Sequence, residues 1–545
     1  MRHNILASLR VAAVCVAAVG LSHCHASGAP NRAAPNTLVV AVRKEPESLN
    51  PLLLEGINAY IFSELLYSYL TTYDRNGAVA PDLAREVPSL ANGGVSADGR
   101  TITYHLRSDA RWQDGVPVTS RDVAFTYSAI MNPANNVQER YGYDVVSRLE
   151  TPDRYTVVVR LKRAFSPILT FFFGGDSNYP VLPAHKLARY PNINAVPFNL
   201  SPVGSGPYRL DRWNRGDRIE LDANPSYVHG KPKIERLVLP FVPDDSTVIN
   251  QLRTGELDAA FFPDTSRVEE LRAIPGHRVI VTPVPYFYAI SFNLDVPVLA
   301  DLSVRTAVSQ AIDRDSLVRK ITLGVDDSSN AMRGLFTWAY DRQVKLVPYD
   351  PAAAKALLTR DGWLPGSDGI RTKAGKRLSL QLAFPTGSNV TTSMATAIEA
   401  AEREIGVDMS LRQYDRNQFV SLQGPWMQGR TQLALYDYQG SYDPDASWLL
   451  ACDQRSPRGF DLSRYCNPAV DALLHKAAAS YDRGTRSAAY RAVQRTIAHD
   501  LPYDFLCQIS EVDVIPSNLG GYTPPLLSPF NFVANWYRLH PSGRN

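Results

Sequence analysis

Apolar and polar residues alternate with a period of two over residues 101–107, where Ile102, Tyr104 and Leu106 share one side. Residues 154–161 repeat that period, so both segments are expected as strands. Between them the period changes. Ala124, Tyr127 and Ile130 recur at helical spacing behind Thr119, and Asp122 follows three residues after Thr119. That is a capping box, in which two unpaired amides at a helix start are satisfied reciprocally. Trp112 precedes Asp114-Gly115, a tight-turn pair, and Pro117 fixes the exit. The unit reads strand, Trp-anchored turn, capped helix.

The same reading extends along the chain. Strands are expected over 37–43, 208–213, 286–294, 407–412, 433–435 and 505–509. Helices are expected over 59–71, 301–322, 388–404, 467–479 and 485–498, with a further one starting at Asp350-Pro351. Gly204-Ser205-Gly206-Pro207 predicts a turn into a strand, because Pro207 lacks an amide and no helix opens behind it to hold a phosphate. Residues 369–376 imitate a phosphate loop but carry one residue too many and Arg377 where a hydroxyl is needed, so a hairpin is expected.

The chain has 545 residues, with 45% hydrophobic and 20% charged, which implies several folded domains. Residues 1–26 look like a targeting segment: Arg2 and Arg10, then an apolar run over 11–21 too short to span a bilayer. Two cleavage readings stand. Residues 21–24 end on Cys24 like a lipobox, with His23 where a small residue is the rule, and residues 24–26 offer small residues for ordinary cleavage. Either way the product is exported and periplasmic, soluble or lipid-anchored through Cys24. In that oxidising compartment Cys452 and Cys466 are expected to pair, while Cys507 reads as a buried thiol. With 57 basic and 54 acidic residues there is no electrostatic case for nucleic acid. No His pair at helical spacing and no G-x-S-x-G elbow is present, so neither catalysis, a metal centre nor a cofactor is expected. Asp443 and Asp445 flank Pro444 and are read as turn-shaping rather than catalytic.

With Pro81-Asp82-Leu83-Ala84 and Asp98-Gly99 ahead of it, the Trp112 unit resembles the signature of the family 5 extracellular solute-binding proteins. Gly204–Tyr208, Asn224-Pro225, residues 250–259 and Asp443-Pro444-Asp445 continue the resemblance, which runs from about residue 38 to 538. It implies an α/β, two-lobed periplasmic binding protein fold (type II, cluster C) with an extra inserted domain and a two-strand hinge. On that basis lobe I comprises 36–58, 200–285 and 505–545, the inserted domain 59–199, and lobe II 286–504. It also implies capture of a peptide or other small polar solute by a monomer that serves an ABC permease in the cytoplasmic membrane. A periplasmic sensor that presents its loaded form to a membrane receptor is the alternative with the same fold.

The expected site joins Glu55, Gly56, Asn58 and Tyr60 to Ser388, Asn389, Tyr436, Tyr438, Gln439, Gly440 and Tyr442. Tyrosine rings would stack on the ligand and amides would bond its backbone. The family's acidic and basic peptide anchors fall on Gly440 and Ser388, so neither charge is present there. A longer or blocked peptide, or another polar solute, is expected to fit better, with Asp437 or Glu55 as a displaced anion.

Overall fold

The computed structural model describes residues 36–54, 56–137, 140–524 and 528–539. Residues 1–26, Cys24 and Glu55 lie outside them. A ten-stranded mixed sheet runs through the molecule. Across it lie Asp408–Tyr414, Ser379–Pro385, Leu433–Gln439, His277–Phe292, Tyr503–Pro516, Ala259–Phe261, Thr37–Ala41, Arg236–Pro240, Arg218–Ala223 and Tyr208–Asn214. Apolar side chains alternate between opposite faces, and both faces are covered. Leu38 and Val40 enter one core while Val39 and Ala41 enter another. Likewise Ile290 and Phe292 face away from Phe287 and Ala289. Burial on both faces explains why these strands read as continuous apolar runs.

Only His277–Phe292 and Tyr503–Pro516 belong to both halves of the sheet. They pair antiparallel, Pro283 opposite Ser510 and then Phe287 opposite Gln508. Three residues, Val284, Pro285 and Tyr286, therefore face Ile509 alone. Pro283 and Pro285 have no amide to give the ladder, which favours a break there. The Gln508 side chain closes part of it by donating to the Val284 carbonyl at 3.0 Å. The two strands expected to begin at 286 and 505 are thus 16 and 14 residues long, beginning at His277 and Tyr503.

Residues 101–161 fold as read. Thr101–His105, Thr156–Leu161 and Val146–Asp153 form an antiparallel sheet, and Thr119 and Asp122 close the capping box of Ser120–Met131. Trp112 is fully buried. Its turn is pinned by Gln113, which donates to the Tyr208 carbonyl at 2.7 Å and accepts from the Gly204 amide at 3.0 Å. This segment shares one continuous apolar core with Leu38, Leu237 and Ile515.

Two expected helices differ. Ile57–Leu66 stops well short of residue 71, because Gly204 and Gly206 press onto its end and the Gly206 amide bonds the Leu66 carbonyl at 3.0 Å. A Cβ at residue 206 would sit 2.6 Å from the Leu66 carbonyl carbon, so this motif is a contact surface as well as a turn. The single helix over 301–322 is instead Leu302–Ala311 and Arg314–Ile321, since Asp313 caps a new start by accepting from the Ser316 amide at 2.9 Å. Residues 371–377 form the expected hairpin, with Ala374 and Gly375 both at positive φ.

Glu402 lies at 0% exposure on Asn389–Glu404, and neither of its carboxylate oxygens has a hydrogen-bond partner. Burial, and then the charge of Asp504, push this carboxyl well above its usual range. Protonation is therefore favoured by folding. The stability it contributes is present in full at acid pH, below the unfolded carboxyl value, and is lost as pH rises toward the folded value. Glu402→Gln should melt higher than the parent by a few degrees, with the gap wider at pH 8 than at pH 4.5. Thermal denaturation followed by circular dichroism at the two pH values checks this.

Candidate functional site

The loop that follows Leu433–Gln439 meets the segment 59–199 directly. Phe173 sits at φ 49°, and Gly174 and Gly175 pack where a Cβ would strike Thr170 or Tyr73. That tight turn presents Asp176. Its carboxylate accepts the amides of Tyr442 at 2.7 Å and Asp443 at 3.1 Å, and the Tyr73 hydroxyl. Burial, and then the nearby Asp443 charge, push Asp176 up to about 7. Asp443 is held by both terminal nitrogens of Arg486, at 2.9 and 2.6 Å. Tyr141 donates to Asp445, and the Ser166 amide reaches the Ala478 carbonyl at 2.6 Å. The two sides of the cleft are therefore in contact. Asp443 and Asp445 shape the loop as expected, since the Asp445 amide bonds Asp443 at 3.1 Å.

Two cavities flank Gln439. The smaller, about 240 Å³, is walled by Ile57, Ile61, Phe261, Tyr286, Tyr288 and Ile509, with Arg43 and Asp437 as its charged lining. Both charges are engaged. Arg43 pairs with Asp245, and Asp437 accepts two bonds from Arg416 at 2.9 and 2.8 Å. The larger, about 430 Å³, lies between Tyr60 and residues 140–144 and 176–179 on one side and Gln439, Gly440, Ser441 and Trp448 on the other. Gln454, Arg458, Gly459 and Phe460 complete its wall. These four belong to the loop closed by the Cys452–Cys466 disulfide, whose Cα atoms are 4.6 Å apart.

Of the expected residues, Tyr60, Gln439 and Gly440 line a cavity. Tyr438 does not. It is 3% exposed and lies parallel to Phe287 at 5.0 Å, inside the core. Tyr436 packs against Trp426 at 4.6 Å, below the Arg416 guanidinium. The reason is strand alternation: Asp437 and Gln439 take the cleft face, so Tyr436 and Tyr438 take the other. Tyr442 lies against Tyr73, ring centres 5.0 Å apart, at the contact between the two sides. Ser388 is a helix cap that accepts from the Thr391 amide at 3.1 Å, and Asn389 opens that helix. Asn58 is buried and bonds the Lys44 carbonyl at 3.2 Å, while Gly56 caps its helix at φ 58°. None of Gly56, Asn58, Ser388 and Asn389 lines either cavity. Gly440 has a strict reason to be glycine, since a Cβ there would lie 2.6 Å from the Pro285 carbonyl oxygen and 2.8 Å from that of Gly334. An acidic anchor has no room at this position.

The aromatic wall comes instead from residues the sequence reading passed over: Tyr141, Tyr143, Phe171 and Tyr179. The triplet Phe171-Phe172-Phe173 before Gly174-Gly175 is the signal that would have flagged a turn rich in rings.

A model of the bacterial extracellular solute-binding proteins, family 5, matches residues 78–458. The chain belongs to this family. Protein XP55 of Streptomyces lividans is 31% identical to this family 5 protein, over 90% of this chain and 87% of its own length. The oligopeptide-binding protein AppA of Bacillus subtilis is 26% identical, over 96% of this chain and 97% of its own. The crystal structure of NikZ from Campylobacter jejuni in complex with Ni(L-His) superposes with a TM-score of 0.78 at 26% identity, covering 93% of this chain and all of that one. The architecture is accordingly the two-lobed periplasmic binding protein fold, and its function is solute binding. Among the described residues no group of three or more His, Cys, Asp or Glu is placed to hold a metal ion, and no helix is long and apolar enough to cross a membrane.

Asp176 accepts two amides across the cleft, each bond worth about 0.5–1.5 kcal/mol while its carboxyl is protonated and about 1.5–3 kcal/mol once pH rises above about 7 and it is charged. Asp176→Ala should lower the ratio of closed to open molecules by about tenfold or more, with secondary structure unchanged. Small-angle scattering should show a larger radius of gyration than for the parent protein.

Proposed function

We propose that this family 5 protein captures a peptide in the cleft beside Gln439 and hands it, unaltered, to an ABC permease in the cytoplasmic membrane. The observation that carries this is the half-open cavity of about 430 Å³, built from both sides of the contact that Asp176 makes. Its size and its mixture of rings with a few amides and hydroxyls suit a small polar ligand with apolar parts. The names of relatives such as AppA support a peptide over other solutes.

In this reading residues 36–58, 200–285 and 505–545 form one lobe, 286–504 the other, and 59–199 the extra domain. The lobes turn about the break between Pro283 and Phe287, where two strands alone carry the chain across. The protein works as an exported monomer, with residues 1–26 as its signal and Cys24 the residue that a lipid anchor would use. Hinge closure of this kind buries the ligand and presents one shape to the permease.

Native mass spectrometry of the purified protein should show bound peptides that denaturation releases. Adding a pool of oligopeptides to stripped protein should raise the melting temperature and shrink the radius of gyration. A protein that neither carries nor responds to any peptide does not have this function.

A further inference from the structure

The contact across the cleft gathers three carboxylates and one guanidinium away from water. Asp176, Asp443, Asp445 and Arg486 are each 8% exposed or less. Arg486 holds Asp443 with both terminal nitrogens, at 2.9 and 2.6 Å, so that pair is neutral as a unit. The other two acids have no such partner. Among the described residues neither Asp176 nor Asp445 pairs with a basic side chain, and both are held by uncharged donors. Asp176 accepts the amides of Tyr442 and Asp443 and the Tyr73 hydroxyl. Asp445 accepts the Ser447 hydroxyl at 2.6 Å, the Ser447 amide at 3.1 Å and the Tyr141 hydroxyl. Two acids are thus buried with no counter-charge of their own.

The other ionisable groups around them do not change that balance. Tyr60 and Tyr73 face Asp176 from its own side of the cleft. Burial, and then the Asp176 charge, push both hydroxyls up, Tyr60 to about 12, so both stay neutral. Tyr442 lies across from Asp176, with Arg483, Arg333 and Asp74 acting on its hydroxyl from further out. Tyr141 and Tyr490 face Asp445, and burial raises both. Arg140, Asp144 and Arg458 line the adjoining cavity, where Arg140 donates to the carbonyls of Ile130 and Val137. Burial, and then the Asp443 charge, hold Asp176 up at about 7, and burial holds Asp445 above its usual range. A charged Asp176 makes stronger bonds than a protonated one, but the cost of taking its charge out of water beside Asp443 outweighs that gain.

These bonds run between parts that separate when the cleft opens. Asp176 and Tyr141 belong to segment 59–199, while their partners lie in the loop after Gln439. Opening returns both carboxylates to water, where an aspartate titrates near about 4. We propose that the cleft takes up a proton from solvent as it closes, with Asp176 its main seat and Asp445 the second, so that acid holds the protein closed on its solute and alkali lets the solute go. This deepens the solute-capture reading above and rests on it. The sign follows from linkage, because the closed form binds the proton more tightly than the open one. The proton's contribution to closure is complete below about pH 4 and is lost as pH rises through about 7. Between pH 5 and 8 the ratio of closed to open molecules falls at least about tenfold.

Two measurements test this. Calorimetry with N-acetyl-Ala-Phe-Ala-amide, a probe with no titrating group, in two buffers of different ionisation enthalpy counts the protons that accompany binding. Near pH 6.5 the parent protein should take up about 0.5–1 proton, and it should bind the probe at least about tenfold more tightly at pH 5 than at pH 8. Asp176→Asn keeps an acceptor for the amides and carries no charge at any pH. It should take up far less, and adding Asp445→Asn should abolish the remainder. Small-angle scattering of stripped protein needs no ligand: the parent's radius of gyration should grow from pH 5 to pH 8, and that of Asp176→Asn should stay nearly constant. A parent that binds the probe without taking up a proton overturns the proposal, and so does an Asp176→Asn protein that keeps the parent's response. Should Asp176→Asn fail to fold, the parent's proton count decides. Should the probe not bind, scattering decides: a radius that ignores pH overturns the proposal, and one that follows pH upholds it while peptide capture alone is in question.

Discussion

Everything in this molecule that concerns a ligand depends on a sheet that is continuous but joined at its centre by two strands only. The ladder between them skips where Val284, Pro285 and Tyr286 face Ile509. A regular ladder would hold the halves rigid, because each backbone pair fixes the next. Pro283 and Pro285 bring no amides to the ladder, so fewer backbone bonds hold the twist there than in a regular pair. Tyr286 and Ile509 at that skip also line the smaller cavity, so the break in the ladder and the wall of that cavity share residues.

The contact across the cleft combines directed polar bonds with the ring contact of Tyr73 on Tyr442, and that suits reversible closure. Asp176 holds two amides, Arg486 holds Asp443, and Tyr141 reaches Asp445. A few directed bonds cost little to open, because each can be exchanged for a bond to water. The same turn carries Asp176 to the closing contact and Ser177, Asn178 and Tyr179 to the cavity. A ligand that orders this turn therefore also orders the groups that close over it.

How much of this was legible in the sequence follows from how well local signals agree. At Trp112 the turn pair, the capping box and the strand period all point the same way, and the structure matches them. The long central strands were cut short in the reading because prolines at 283 and 285 interrupt one, and Glu511 and Asp513 interrupt the apolar run of the other. Both acids are buried, a tertiary choice with no local trace. The helix over 301–322 was read as one because its apolar stripe continues past Asp313, whose side chain nonetheless starts a new helix. At the site, the loop after residue 433 was found, but the tyrosines chosen from it share the core face of the strand. Tyr141, Tyr143, Phe171 and Tyr179, which do line the cavity, sit some 260 to 300 residues before Gln439, and only the fold brings them there.

The edge-to-centre order of the large sheet has a consequence for how the chain reaches its final form. Thr37–Ala41 is the first strand made, yet its neighbours are Arg236–Pro240 and Ala259–Phe261, and the latter waits in turn for Tyr503–Pro516. Closing such wide gaps along the chain is slow. The central part of the sheet therefore cannot be completed before Tyr503–Pro516 has been synthesised, and the earlier strands must wait for it with their pairing edges open.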